Sequence, residues 1–173
     1  MLITHNMKNK KLLLGIAWAW LTCLSANAEV KLPAFFSDGM VMQQQTRANL
    51  WGTATPNAPV KITTSWDKQT YKTIADAKGA WKLALSTPSA GGPYTITFDD
   101  GKLTEIRDIL MGELWLCSGQ SNMEMPMKGF KNQPVENSNT DVMNSRNPQL
   151  RLFTVKRTSS FTPKTDVVGT WQE

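Results

Sequence analysis

Histidine and cysteine are scarce in this sequence of 173 residues. The one histidine is His5, and the two cysteines are Cys23 and Cys117. Because these side chains are so few, a zinc site built from a Cys/His cluster is excluded. No spaced set of carboxylates and no glycine-rich phosphate loop offers another ligand set. The sequence therefore predicts neither a bound metal nor a cofactor.

A long hydrophobic run is also missing. The apolar run of residues 12–21 is well short of the roughly 20 residues needed to span hydrocarbon. It follows a basic start that has no acidic residue, and it precedes Ala26-Asn27-Ala28, a small-x-small cleavage pattern. We therefore predict a signal peptide over residues 1–28, export to the periplasm or extracellular space, and no stable membrane insertion after cleavage. A membrane anchor is the alternative interpretation.

Positive charge is concentrated in that first segment. The whole chain carries a formal net charge of +5, but residues 1–28 hold three lysines and no acid, so their removal leaves 16 basic against 14 acidic residues. A net charge of +2 is no sign of nucleic-acid binding, and we predict no such partner. Only Cys117 remains after cleavage, so the mature chain cannot close a disulfide within itself. Nothing in the sequence indicates an oligomeric state.

Residues 30–98 alternate between apolar and polar with the period of two that is typical of strands. Turn-forming residues interrupt this pattern at short intervals, as hairpins and corners require. We predict an antiparallel β-sandwich domain over residues 29–105. The sets predicted to share a face are Val60, Ile62, Thr64 and Trp66; Trp81, Leu83 and Leu85; and Tyr94, Ile96 and Phe98.

Three tryptophans of this region allow two interpretations. Trp51, Trp66 and Trp81 could line a sugar-binding face, because an indole ring stacks on the apolar face of a pyranose. They could equally fill the core of the sandwich. Their place in the alternating pattern favours the core.

The pattern changes after Gly101. Residues 106–117 are apolar with little alternation, which predicts a strand buried on both faces of a parallel sheet. A turn, a helix start at residues 123–125, a helix over 134–143 and a strand over 150–155 are expected to follow. One strand-helix-strand unit cannot cover both faces of such a sheet. We therefore expect residues 106–173 to be the start of an α/β domain that is cut short.

Ser121 lies on the predicted tight turn between the buried strand and the helix. Such a turn projects a hydroxyl beyond the sheet edge, and a helix start supplies free N–H groups and a positive dipole end that suit an oxyanion. Taken alone, Gly119-Gln120-Ser121-Asn122 is a weak pattern. A turn with an N-cap serine has the same signature.

Longer strings point to a known family. These strings are Phe36-Ser37-Asp38-Gly39-Met40-Val41-Met42-Gln43, Gly79-Ala80-Trp81, Ala90-Gly91-Gly92-Pro93-Tyr94, Gly112-Glu113-Leu114-Trp115-Leu116-Cys117-Ser118-Gly119-Gln120-Ser121-Asn122-Met123-Glu124 (the nucleophile string), Arg151-Leu152-Phe153 and Trp171. They resemble segments of the sialate O-acetylesterase family, within the SGNH-type esterases. The strings run from about residue 32 to the end of the chain in the family's order.

The resemblance implies both a fold and a reaction. The fold would be an antiparallel β-sandwich followed by an SGNH-like, flavodoxin-like α/β hydrolase domain. Ser121 would attack an acetyl ester on a sugar hydroxyl, O-acetylated sialic acid being the substrate that names the family, and an acetyl-serine would form. Gln120 and Asn122 would hold the turn or assist the oxyanion hole, with a structural role favoured.

A serine hydroxyl needs a base to take its proton, and the only histidine lies in the predicted signal peptide. In the family, the catalytic histidine and its acidic partner come from a block far downstream of the nucleophile. We therefore expect the chain as given to be the N-terminal part of an exported esterase and to be inactive. The alternative is a non-catalytic carbohydrate-binding sandwich with a vestigial esterase segment.

Overall fold

The computed structural model describes residues 29–173. The predicted signal peptide, with His5 and Cys23, lies outside this range. Among residues 29–173, none of the helices has the length and apolar character of a membrane-spanning segment. The strands are β1 (Val41–Gln43), β2 (Arg47–Thr53), β3 (Pro59–Thr64), β4 (Thr70–Ile74), β5 (Ala80–Ser86), β6 (Gly91–Asp99), β7 (Leu103–Gly112), β8 (Leu152–Phe153) and β9 (Trp171–Gln172); a 3-10 turn covers Ser121–Met123, and α1 covers Ser138–Met143.

Seven of the strands form two sheets. The larger has the order β1-β7-β6-β3-β4, and β2 pairs with β5 in a separate two-stranded sheet. All these pairs are antiparallel except β1 with β7, which is parallel. The prediction of a wholly antiparallel arrangement is therefore wrong at this pair. Alternation in a sequence predicts the face on which a side chain lies, but it carries no information about the direction of the neighbouring strand.

A single apolar core contains side chains from both sheets. The alternating sets predicted for β3 and β6 are confirmed, since Val60, Ile62, Ile96 and Phe98 are fully buried. The smaller sheet contributes three buried side chains. These are Leu50, Trp81 and Leu85.

The tryptophans mostly fill space beside this core. Trp81 is 3% exposed, and its ring lies 5.9 Å from that of Phe98, so its predicted core position is confirmed. Trp51 and Trp66 are half-buried and pack against the core. Gly52 makes room for Trp81, because a Cβ there would lie 3.0 Å from the indole and 2.4 Å from a backbone carbonyl oxygen.

Strand β7 differs from its prediction in both length and surroundings. It ends at Gly112, and Ile106, Ile109 and Met111 are buried while Arg107 is exposed. The expectation of a strand over 106–117 buried on both faces is therefore wrong. The stretch combines an alternating sheet strand with an exposed apolar segment after Gly112. The predicted domain boundary after residue 105 falls within β7.

The elements after Gly112 are short. Helix α1 begins at Ser138 rather than Pro134, because Asn137 adopts a left-handed conformation with φ of 58° and so cannot continue a helix. The strand expected over 150–155 is limited to β8, which pairs antiparallel with β9. A two-residue strand in an antiparallel pair does not form the second strand of a parallel sheet.

Five aromatic rings attach this β8–β9 pair to the beginning of the described chain. Phe35 lies 5.5 Å from Phe153 and 5.2 Å from Trp171, and Phe36 lies 4.6 Å from Trp51, measured between ring centroids. The indole N–H of Trp171 donates to the carbonyl oxygen of Phe35 at 2.9 Å. We call these five residues the aromatic junction. Edge-on contacts of this kind contribute beyond the area they bury.

Arg151 holds the same junction through hydrogen bonds and ion pairs. Its side chain is only 5% exposed, and it donates to the carbonyl oxygen of Asp108 at 2.7 Å and to the Asp108 carboxylate at 3.0 Å. Glu173 lies 3.3 Å from the same guanidinium group. Asp108 has a φ of 57° inside β7, which turns its carbonyl and carboxylate toward Arg151. Several stretches that carry the family resemblance, separated by more than 100 residues, therefore meet at one place.

We predict that Arg151→Met weakens this attachment. The variant removes bonds to a nearly buried guanidinium, so the free energy of unfolding in urea should fall by about 1–3 kcal/mol, and the fluorescence of Trp171 should shift toward that of an exposed indole. Arg157→Met is the matched control, because the Arg157–Glu124 ion pair is largely exposed and such pairs contribute little. Equal losses in the two variants would contradict the assignment.

Asp67 organises the turn between β3 and β4. Its carboxylate accepts hydrogen bonds from the Thr64 hydroxyl, from the Gln69 N–H at 3.0 Å and from the Tyr71 hydroxyl at 3.3 Å. Partial desolvation acts to raise the pKa of Asp67, but these hydrogen bonds outweigh it, and the pKa lies below its ordinary value. Because the folded pKa is depressed, the carboxylate stabilises the fold above its unfolded pKa and loses this contribution as the pH falls through the folded pKa.

We therefore predict that Thr64→Val lowers stability in a pH-dependent way. The loss relative to the wild type should be on the order of 1 kcal/mol at pH 7, allowing for solvent screening, and should shrink below about pH 4. Thr64→Ser keeps the hydroxyl and should keep the pH dependence. Urea unfolding from pH 3 to pH 7 measures both variants. A Thr64→Val loss that is the same at both ends of this range would refute the role of Asp67.

Candidate active site

The segment that leads to Ser121 is fixed where it leaves the sheet. Glu113, directly after β7, accepts hydrogen bonds from the side-chain amides of Gln44 at 2.8 Å and Gln43 at 3.0 Å. The N–H of Leu114 donates to the amide oxygen of Gln43 at 2.9 Å. The bonds from Gln44 and Gln43 hold the pKa of Glu113 below its usual value. We call these three residues, Gln43, Gln44 and Glu113, the amide clamp.

Sequence reasoning did not identify this clamp. Gln43 and Glu113 both belong to strings that carry the family resemblance, but 70 positions separate them. Neither residue type nor spacing indicates that they touch. The contact exists because β1 and β7 are parallel neighbours that end side by side, with Gln43 opposite Gly112.

Ser121 begins a single exposed turn. The N–H of Met123 donates to the Gln120 carbonyl oxygen at 3.0 Å, and the N–H of Glu124 donates to the Ser121 carbonyl oxygen at 3.1 Å. The predicted turn is thus present, but the helix expected after it is limited to Ser121–Met123. One turn has too few aligned peptide units to supply the expected dipole. The turn therefore offers an anion only its first N–H groups. These groups have no partner within a 3-10 turn.

The neighbours of Ser121 are exposed as well. Gln120 occupies the N-cap position, yet its side chain makes no capping hydrogen bond. Within residues 29–173, no side-chain hydrogen bond is found for Gln120 or Asn122, so backbone bonds hold the turn. Glu124 pairs with Arg157, which links the turn to the region between β8 and β9. Cys117 is exposed and free.

Within residues 29–173, no side-chain hydrogen bond joins the Ser121 hydroxyl to a base. Residues 29–173 contain no histidine, and they contain no group of three or more His, Cys, Asp or Glu side chains placed to hold a metal ion. The described chain thus presents an exposed serine hydroxyl and backbone donors. It does not present a Ser-His-Asp constellation.

A separate depression lies on the larger sheet. It has a volume of about 290 Å³ and is open to solvent. Hydroxyl groups and one ammonium group line it, and none of the lining residues belongs to the nucleophile string. The lining residues are Thr63, Thr64, Ser65, Lys68, Thr95 and Thr97.

The half-buried tryptophans have their polar ends occupied. The indole N–H of Trp66 donates to the Ser86 carbonyl oxygen, and that of Trp51 donates to the Thr165 carbonyl oxygen, both at 3.1 Å. Trp66 also packs against Tyr94 at 5.7 Å. These contacts are those of packed side chains at the rim of a core and do not form a row of free indole faces.

Curated proteins similar to this chain are sialate O-acetylesterases. The protein from Pongo abelii is 30% identical over 155 residues, which covers 84% of this chain and 29% of the relative. The protein from Homo sapiens is 32% identical over 126 residues, which covers 67% of this chain and 24% of the relative. The match to the Pongo abelii protein leaves out 16% of this chain. More residues than that lie on either side of Ser121, so the matched span includes this serine. No protein-family model matches the chain.

A solved structure supports the same relationship. The crystal structure of a carbohydrate acetylesterase from Xanthomonas citri superposes with a TM-score of 0.75 and 32% sequence identity, covering 83% of this chain and 32% of that protein. The chain thus spans only about a quarter to a third of the length of the relatives it matches. The resemblance predicted from the motifs is confirmed: over most of its length, this chain is similar to the sialate O-acetylesterases and to a carbohydrate acetylesterase of known structure.

Proposed function

We propose that this chain is part of an exported serine esterase that removes O-acetyl groups from sugars, with Ser121 as the nucleophile. The observation that carries the proposal is the position of Ser121, which starts an exposed turn with free backbone N–H groups inside a span that matches acetylesterases. Export is supported by the signal-peptide pattern of residues 1–28. We expect the periplasm or the extracellular space as the compartment.

The proposed reaction proceeds through a covalent intermediate. The Ser121 Oγ attacks the acetyl carbonyl carbon, and the resulting oxyanion is held by backbone N–H groups, with that of Ser121 as one donor. Collapse breaks the bond to the sugar oxygen and leaves an acetyl-serine. Water then attacks this ester, which releases acetate and restores the hydroxyl. A base must accept the Ser121 proton and deliver it to the departing sugar oxygen.

That base has to come from beyond residues 29–173. The family resemblance implies a histidine and an acidic partner from a block downstream of the nucleophile, in a part of the relatives that this chain does not span. The proposal therefore treats the chain as the N-terminal portion of such an enzyme. We also propose that the chain consists of a β-sandwich domain followed by an incomplete SGNH-like α/β domain. The change from buried to exposed apolar residues after Gly112 supports such a division and favours a boundary a few residues later than the sequence predicts.

The proposed substrate is an O-acetylated sugar or glycan. The relatives from Pongo abelii and Homo sapiens are named for sialate esters, and the Xanthomonas citri protein is named more broadly for carbohydrates. We propose acetylated sialic acid as the first substrate to test. Asn122 and Gln120 are proposed to shape the oxyanion site, since both flank Ser121 with side chains that are not bonded elsewhere in the described chain.

We predict that the purified 173-residue chain does not hydrolyse acetyl esters through Ser121. Without a base, the serine hydroxyl is a poor nucleophile, so the rate with an aryl acetate should equal that of Ser121→Ala. Steady-state hydrolysis at pH 7 to 8 measures both proteins. A rate above that of Ser121→Ala would show that this chain already supplies a base, contrary to the proposal.

A chimera tests the nucleophile directly. Residues 29–173 of this chain would replace the matched third of the Xanthomonas citri acetylesterase. We expect the chimera to release acetate from acetylated sugars, and Ser121→Ala should lower kcat by at least about 10³-fold. Ser118→Ala is the matched control, because this serine lies three positions earlier in the same exposed segment, and it should change kcat by only a few fold. An active chimera that is insensitive to Ser121→Ala would reject the assignment.

A further inference from the structure

The open depression on the larger sheet takes part neither in the core nor in the proposed reaction. It lies on the outer face of the sheet, because Thr63 and Thr97 alternate with the buried Ile62 and Phe98. Thr63 and Thr97 are also directly opposite each other in the β3–β6 pair. Their side chains therefore lie next to each other on the surface that faces solvent.

Hydroxyl groups of this depression are available to bond a ligand. Within residues 29–173, the half-buried side chains of Thr95 and Thr97 have no hydrogen-bond partner. The Ser65 Oγ accepts the N–H of Thr95 at 2.9 Å, which leaves its own proton free to donate. The Thr64 hydroxyl, in contrast, already donates to Asp67. The available hydroxyls thus lie close together, two on β6 and one directly after β3.

Lys68 brings a positive charge to the depression. It forms no ion pair within the described chain, and the carboxylate of its neighbour Asp67 is held by the hydrogen bonds of the turn. The backbone of Lys68 has a φ of 55°, a left-handed conformation that disfavours residues with a Cβ and that glycine or asparagine adopts more readily. The sequence thus has an ammonium group at a position where a smaller residue would be less strained.

The charges on this part of the sheet favour an anion. Lys61 lies directly opposite Lys72 in the β3–β4 pair, and like charges so placed destabilise a sheet. The acidic side chains in register with this region are already paired, Asp99 with Lys61 at 3.2 Å and Glu105 with Arg107. Among the described residues, Lys68 and Lys72 are left without an ion pair. The unbalanced charge of this surface is therefore positive.

The size and the lining of the depression together indicate the class of ligand. A volume of about 290 Å³ is far larger than a single inorganic ion needs, and such an ion would leave the hydroxyl groups of β6 unbonded. Polyphosphates are normally held by several cationic groups or by a row of backbone N–H groups, whereas one ammonium group lines this depression. A sugar ring carries hydroxyls that both donate and accept, and one carboxylate on the ring would match one lysine.

We propose that this depression binds a carboxylate-bearing sugar unit of a glycan. The carboxylate would lie beside the Lys68 ammonium group, and ring hydroxyls would bond to Ser65, Thr95 and Thr97. The choice of a sugar acid rests on the proposed function, in which sialic acid, a sugar with one carboxylate, is the first substrate to test.

The depression is remote from the point where the chain leaves the sheet toward Ser121. Gly91 of β6 pairs with Met111 beside that point. Thr97 lies six positions further along β6, roughly 20 Å away at the rise of a strand. The sugar bound here would therefore be a different unit from the one whose ester is cleaved. Contacts to a non-reacting unit hold a substrate on the protein and lower KM.

An NMR titration of the full 173-residue chain tests the proposal. Sialyllactose is the probe, and lactose is its neutral counterpart. We expect saturable amide shifts at residues 63–68 and 95–97 with sialyllactose, an affinity for lactose that is lower by at least about threefold, and weaker sialyllactose binding as salt is added. The proposal fails if these amides show no saturable shift, if the two sugars bind equally, or if acetate ion alone binds as tightly as sialyllactose.

Charge variants locate the carboxylate. Lys68→Gln should lower the affinity for sialyllactose by at least about threefold and bring it close to that for lactose, whereas Lys68→Arg keeps the charge and should retain the preference for sialyllactose. Lys82→Gln is the matched control, because Lys82 is an exposed lysine of β5 in the other sheet, and its affinity should equal that of the wild type. Equal effects of Lys68→Gln and Lys82→Gln would show that only overall charge matters and would contradict the proposed site.

A hydroxyl variant locates the sugar ring. Thr97→Val removes a hydroxyl that has no partner in the described chain, and valine suits a strand, so the fold should be kept. We expect this variant to bind both sialyllactose and lactose a few fold more weakly. Thr53→Val, at an exposed position of β2 in the other sheet, is the matched control and should bind like the wild type. Circular dichroism checks the sheet content of each variant. Wild-type affinity in Thr97→Val would rule out the proposed contact with β6.

The outcome separates this inference from the proposed function, because binding is measured without hydrolysis. If sialyllactose binds through Lys68 but the chimera hydrolyses no acetyl ester through Ser121, the sugar site stands and the assignment of the nucleophile fails. If the chimera is active through Ser121 while residues 63–68 and 95–97 do not respond to sialyllactose, the function stands and the sugar site fails.

Discussion

The parallel pairing of β1 with β7 determines where the candidate site leaves the sheet. Because the two strands run in the same direction and end opposite each other, Gln43 and Gly112 share one edge. The side chains that follow can then form the amide clamp, and the chain leaves toward Ser121 from a fixed point. An antiparallel pair would place the start of one strand beside the end of the other, and Glu113 would have no glutamines to bind.

A second attachment links the end of the described chain to the same side of the fold. Arg151 reaches the backbone and the carboxylate of Asp108, while the aromatic junction packs Phe153 and Trp171 on Phe35. The region between Gly112 and Arg151 is therefore held at both ends and has little packing between them. Its ends are specified by hydrogen bonds and aromatic contacts, but its middle depends on exposed residues. This explains how the nucleophile string can have a defined position at its start without a buried core of its own.

The sequence predicts some of these features well, for physical reasons. Val60, Ile62, Ile96 and Phe98 could be assigned to the core because alternation in a strand directly encodes the buried face. The parallel pair could not be foreseen, since the same alternation fits either direction. The prediction for residues 106–117 is wrong because Ile106 to Gly112 alternates too weakly to be distinguished from the apolar stretch that follows. The contact of Arg151 with Asp108 depends on a left-handed residue within a strand, and neither sequence pattern nor propensity indicates it.

Ser121 was predictable as a candidate, but its chemistry depends on packing that the described residues do not supply. A nucleophile acts efficiently when its neighbours hold it within a fraction of an ångström of the reacting geometry. Around Ser121, the backbone turn provides a shape, yet the flanking side chains from Leu114 to Met127 are largely exposed. Burial of Leu114, Trp115 and Leu116 would change two properties together. It would remove the apolar side chains that precede Ser121 from solvent, and it would fix the turn against which a base has to be aligned. Reactivity and stability in this segment are thus coupled through one surface.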